Sequence, residues 1–207
     1  MSLMAKGTSG TFEQAPAGTF PARCVRIIDL GTQMTSGQFA KLTPQVMLSW
    51  QLLGEERMSD GQPFLINQTY TMSLNEKANL RKMLQTWRGR PFTDDELKGF
   101  DLGKVLGLPC LLTVVHNVSH TNGNTYANVQ AVAAPMKGMT IEEATVPLLA
   151  YDIDDDSPEI FSQLPEFWQS RIMQSQEKSG GTPAPTPANP ADPTGMFDEE
   201  EGDSIPF

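Results

Sequence analysis

Between residues 42 and 53 the chain alternates cleanly: Val46, Leu48, Trp50 and Leu52 fall on one side of an extended strand, Gln45, Met47, Ser49 and Gln51 on the other. Before it, residues 19–30 form a run rich in β-branched and apolar positions, closed by Gly31. A third alternating run occupies residues 63–73, with Phe64, Ile66, Tyr70 and Met72 opposite Asn67, Thr69 and Thr71. The period then changes. Leu80, Met83, Leu84 and Trp87 are spaced for one face of a helix over residues 75–87, with Ser73 or Asn75 as its cap and Gly89 as its stop. A helical turn is expected at residues 94–98. Two further strands follow at about residues 109–119 and 125–134, and the Asn122-Gly123 pair between them is a hairpin signal.

Strand, strand, strand, helix, strand, strand is the order of a five-stranded OB-fold barrel with its helix between strands 3 and 4. The expected class is therefore mainly β, with a helical appendage and a disordered tail. Residues 1–18 read as a flexible N-terminus, 19–136 as the barrel and 137–178 as short helices that must dock on it. Ile160, Phe161, Leu164, Phe167, Trp168 and Ile172 are the apolar positions of that appendage. In residues 179–207 a linker of Gly, Pro, Ala and Thr leads to an acidic end. Met1-Ser2-Leu3 reads as a vector remnant ahead of a start at Met4.

Composition alters this picture mainly through charge. The formal net charge of the 207 residues is −10, which disfavours a nucleic-acid partner until it is divided along the chain. Residues 1–141 hold 13 Lys and Arg against 10 Asp and Glu, or +3; residues 142–207 hold 2 against 15, or −13. A mildly basic body thus carries a strongly acidic extension. Two cysteines make no disulfide framework, and the absence of a long apolar run or signal segment points to the cytoplasm, with no membrane partner.

The OB barrel is a frequent host of single-stranded nucleic acid, which needs cations along the phosphates and exposed rings for the bases. Arg23, Arg26, Lys41 and Arg57 are the phosphate candidates, and Phe39 and Tyr126 the base-stacking ones. Parity places Trp50 and Tyr70 with the core, whereas Tyr126 shares its side with Asn128 and Gln130, opposite Ala127, Val129 and Ala131. Lys77, Arg81 and Lys82 on the helix, followed by Arg88 and Arg90, form the densest cationic cluster. They read either as a solvated helix face, as an outer path for DNA, or as a dock for the acidic extension.

Cys24, Cys110, His116 and His120 have zinc-ligand elements but no Cys-x-x-Cys pair, so no metal is expected. No cofactor is implied either. Asp94-Asp95-Glu96 and Asp154-Asp155-Asp156 are better read as helix-start carboxylates than as a Mg²⁺ nuclease centre, and no catalytic motif is present.

The chain closes on DEEEGDSIPF. Asp198, Glu199, Glu200, Glu201 and Asp203 followed by Ile205, Pro206 and Phe207 make a peptide ligand: acidic residues steer, and an apolar tip fills a pocket. This ending resembles the C-terminal tail of bacterial single-stranded DNA-binding proteins, which implies recruitment of replication, repair and recombination proteins. The stretch TYTMSLNEKANLRKMLQTWRGRPFTDDELKGFDLGKVLG with NGNTYANVQ is similar to small replication-associated proteins of phages and prophages. Together the resemblances imply a phage single-stranded DNA-binding protein acting in a bacterial host. The rival expectations are an adaptor that recruits host enzymes without coating DNA, and the metal-dependent nuclease.

Overall fold

The computed structural model describes residues 13–35, 40–118 and 123–180. Its centre is a six-stranded, largely antiparallel sheet: β1 (Gly18–Met34), β2 (Leu42–Leu52), β3 (Leu65–Thr71), β4 (Pro109–Val118), β5 (Thr125–Ala133) and β6 (Leu149–Tyr151). Five strands lie in the order β3-β2-β1-β4-β5, and β6 pairs in parallel with β1. β3 and β5, at the ends of this order, lie near each other. No hydrogen-bonded ladder joins them among the described residues, so the sheet is not closed into the barrel expected from the sequence.

β1 organises the molecule. Its first part, residues 18–23, pairs with β4; at residues 26–28 the same edge is taken over by β6. Its other edge carries β2 from Ala22 to Met34, with two register shifts that leave Val25 and Leu30 as extra residues. Such bulges bend a strand and reverse its side-chain parity. Without the first one Arg26 would point with Ala22 and Cys24 into the core; with it Ile27 takes the inner side, opposite Leu48, and Arg26 faces outward opposite Ser49. Gly31 does not close the strand as expected. It adopts φ +67°, a conformation costly for any other residue, and lets the strand run on to Met34.

Two cores result, one on each side of β1–β2. The inner one gathers Ala22, Cys24, Ile27, Val46, Leu48, Trp50, Leu52, Ile66, Leu112, Val114 and Val132. It is plugged by α1 (Asn79–Arg88) through Leu80, Met83, Leu84 and Trp87. Trp50 is fully buried, its ring centroid 6.2 Å from that of Trp87. α1 begins four residues later than expected, after Ala78. Ser73 Oγ instead accepts from Asn75 N at 3.2 Å, in the turn that precedes the helix. Gly89 ends α1 in the left-handed conformation. α2 (Asp94–Lys98) starts with a capping box between Thr93 and Glu96.

The outer core joins Ile28, Leu30 and Met47 of the sheet to Tyr151, Ile153, Leu164, Trp168 and Ile172. Tyr151 belongs to β6 and Ile153 to the turn after it, and the rest of the layer comes from α3 (Pro158–Gln163) with its C-cap Leu164 and from α4 (Glu166–Met173); α5 (Gln176–Ser179) follows. Thus β1 and β2 are buried on both faces. Residues 13–15 are also tied down: Glu13 Oε2 accepts from Ser59 N at 2.7 Å, Gln14 Nε2 donates to Thr125 O, and Ala15 is buried.

Candidate nucleic-acid interface

The residues expected to contact DNA fall into three places. Lys41 is exposed at the start of β2, where the preceding hairpin closes with Thr35 N donating to Lys41 O at 2.9 Å. Beside this end of β2 lies the end of β3, with Met72 N donating to Pro44 O, and from there the chain enters α1. Lys77 and Lys82 are exposed. Arg81 is half-buried: its Nη1 donates to Leu74 O at 3.1 Å and its Nε to Gln85 Oε1 at 3.3 Å, which fastens α1 to the loop before it. Lys41, Lys77 in the turn before α1, and Arg81 and Lys82 in its first turn therefore share one end of the sheet.

Arg57 and Tyr126 belong to the other end. Arg57 is half-buried in the β2–β3 connection, bridged to Pro63, with Nη1 donating to Glu56 O at 3.2 Å. With about 3.3 Å per residue, the 11 residues of β2 separate the two ends by roughly 35 Å. Tyr126 sits opposite Asn117 on the outer side of β5, half-buried, its hydroxyl accepting from Asn124 Nδ2 at 3.3 Å. A register shift departs from the simple alternation here. Val129 pairs with Val114 and Ala131 with Thr113, so Gln130 is an extra residue, Ala131 is exposed and Val132 enters the core. Asn128 is buried rather than solvent-facing.

The third place is the outer face of β1. Arg26 is half-buried there, and burial lowers its pKa from the ordinary arginine value. Arg23 is buried and fully engaged. Its Nη1 donates to Gly107 O at 2.7 Å, its Nε to Glu142 O at 3.1 Å and its Nη2 to Ile141 O at 3.0 Å, with Glu143 Oε1 3.1 Å from Nη2. This expected phosphate contact is held by the protein itself. Phe39, and Asp198, Glu199, Glu200, Glu201, Asp203, Ile205, Pro206 and Phe207 of the acidic end, lie outside the described residues.

Arg88 and Arg90 are structural. Arg88 pairs with Glu96 and stacks over Phe92 and Phe100 at 4.5 and 4.9 Å from their centroids. Arg90 grips the same carboxylate with two hydrogen bonds, of 2.8 and 3.0 Å. The Arg90 bonds first, then the Thr93 amide and Arg88, hold the Glu96 carboxyl down at about 2. Glu96 is thereby committed to helix capping and ion pairing. Asp156, of the second acidic triplet, pairs with Lys178 and accepts from Tyr151 Oη at 2.9 Å.

Cys24 and Cys110 are both buried in the inner core as free thiols, and burial pushes the Cys24 pKa up to about 12 and that of Cys110 higher still. His116 Nε2 lies 2.8 Å from Ala15 O, and His120 is outside the described residues. No group of three metal-ligating side chains occurs among the described residues. Nor is any helix among them long and apolar enough to cross a membrane.

What the alternation did not reveal is a buried polar row on the outer face. Ser49 stands opposite Arg26 on one side and Asn67 on the other, and Gln51 stands opposite Arg23. Ser49 Oγ, Asn67 Oδ1 and Thr69 Oγ1 are buried without a hydrogen-bond partner, and Gln51 is completely covered. The residues were visible as the polar side of β2 and β3; their burial was not. No protein-family model matches the chain, and no curated protein matches its sequence.

Proposed function

We propose that this protein binds single-stranded DNA without strong sequence preference, in phage replication or recombination, and recruits partner proteins through its acidic Ile-Pro-Phe end. The observation that carries the reading is the sheet order β3-β2-β1-β4-β5 with α1 inserted between β3 and β4. That is the order of the OB barrel, whose β2–β3 face and hairpin loops receive single strands. Exposed Lys41, Lys77 and Lys82 at one end and half-buried Arg57 and Tyr126 at the other supply cations and a ring along such a path. The acidic residues 198–203 and Ile205-Pro206-Phe207 supply the recruiting peptide.

The test is a fluorescence-anisotropy titration of labelled single-stranded and duplex oligonucleotides at two salt concentrations. Tighter binding of the single strand, weakening as salt rises, is expected. Equal affinity for both forms, or none for either, sinks the reading. The engagement of Arg23 by residues 141–143 favours a second reading, an adaptor that recruits host enzymes without coating DNA. It predicts no oligonucleotide binding in the same titration while partner capture through the acidic end persists.

A further inference from the structure

Arg23 and Gln51 face each other across the β1–β2 ladder, and both hold one stretch of backbone, residues 141–146. Gln51 Oε1 accepts from Thr145 N at 2.9 Å and Val146 N at 3.1 Å, while its Nε2 donates to Thr145 Oγ1 at 2.8 Å. Arg23 divides its donors. Nη1 is anchored inward on Gly107 O, whereas the Nε–Nη2 edge is filled by the carbonyls of Ile141 and Glu142 and the carboxylate of Glu143. That edge presents two parallel N–H groups, the geometry that grips a phosphate with two bonds.

The stretch is weakly held otherwise. It has no regular secondary structure, Ile141 is its one deeply buried side chain, and Glu142, Glu143 and Thr145 are exposed. Its bonds to the sheet are therefore polar ones that an anionic strand would satisfy equally well. One row further along β2, Ser49 Oγ and Asn67 Oδ1 are buried and unpartnered. Unsatisfied buried oxygens are costly, and a polar ligand that reached this face would relieve that cost.

We propose that residues 141–146 are a displaceable acidic strap that imitates a nucleic-acid backbone. A bound single strand takes its place, with a phosphate on the Nε–Nη2 edge of Arg23 and a base or sugar edge on Gln51. The inference rests on the single-strand-binding reading above. Gly107 O keeps the Arg23 guanidinium oriented when the strap leaves. The exchange is confined to the strap, because Ile28, Leu30 and Met47 hold the helical layer in place.

Amide hydrogen exchange of the full chain, with and without oligodeoxythymidine, tests this in the unaltered protein and in Glu143→Ala. Saturating oligonucleotide is expected to accelerate exchange at Thr145 and Val146 by about 10-fold or more, with the amides of α4 unchanged. Glu143 is 87% exposed, so its removal leaves the fold intact. It is expected to tighten oligonucleotide binding about 2- to 5-fold at low salt, the size of an ordinary surface ion pair. Bound oligonucleotide with Thr145 and Val146 still protected, or unchanged affinity in Glu143→Ala, overturns the strap alone and leaves the binding reading standing. No binding by either protein overturns both.

Discussion

Replacing Gly31 by alanine tests how tightly the helical layer is fitted to β1. Gly31 sits at φ +67°, and a Cβ there would lie 2.6 Å from Glu177 Oε2, 2.7 Å from Ile153 Cδ1 and 2.8 Å from Ser175 Cβ. The left-handed backbone alone costs alanine about 1–2 kcal/mol. Crowding three neighbours from two different segments adds about 1–3 kcal/mol, as overpacking of a filled site does. The sum is a loss of about 2–5 kcal/mol, or roughly 4–20 °C in Tm for a protein of this size. Gly138→Ala separates the two contributions. Gly138 has φ +85° with nothing within 4 Å of its added Cβ, so it carries the backbone cost and no crowding. Urea denaturation of both variants gives the comparison. If Gly31→Ala is no less stable than Gly138→Ala, the close approach of Ile153, Ser175 and Glu177 to β1 is wrong.

Tyr126→Ala is expected to weaken single-strand binding by about 1–3 kcal/mol through lost stacking, with an unchanged melting curve. Trp50→Ala, emptying the centre of the inner core, is expected to cost about 3–5 kcal/mol of stability in the same denaturation assay; a stable Trp50→Ala that fails to bind would invert the assignment. For Glu96, whose folded pKa of about 2 lies below the ordinary 4.5, the stabilisation is complete above pH 4.5 and vanishes as pH falls toward 2. The Tm gap between the unaltered protein and Glu96→Gln should therefore close over that window, and a gap independent of pH would refute the Arg90–Glu96 pairing. Deleting Phe207 should abolish capture of partners from a bacterial lysate while oligonucleotide binding survives; unchanged capture would reduce the acidic end to a solubilising segment.

The strands and α1 were legible because their apolar positions repeat with periods the backbone enforces, and Val46, Leu48, Trp50 and Leu52 do line the inner core. Bulges were not. Val25, Leu30 and Gln130 are single insertions in the pairing, and an insertion in a ladder leaves no mark on composition while reversing every side chain beyond it. The cation of Arg23 is visible in the sequence, but the partners that hold it are not. Those partners are mostly backbone carbonyls more than 80 residues away, and a carbonyl has no sequence signature. The same distance hid the polar side of β2, covered by residues 145 and 146 and by the outer core.

Because β1 and β2 wall two cores, the order of synthesis matters. Met47 leaves the ribosome 125 residues before Ile172, the last buried residue of the outer core in chain order. At about 5–20 residues per second, the hairpin spends roughly 6–25 s with Ile28, Leu30 and Met47 bare while its opposite face already has β3 and α1 to pack against. A nascent chain in that interval shows the cell an apolar sheet surface flanked by Arg26 and Lys41. Slowing translation between codons 70 and 165 should therefore increase chaperone association and insoluble product more than the same delay placed before codon 20 or after codon 180.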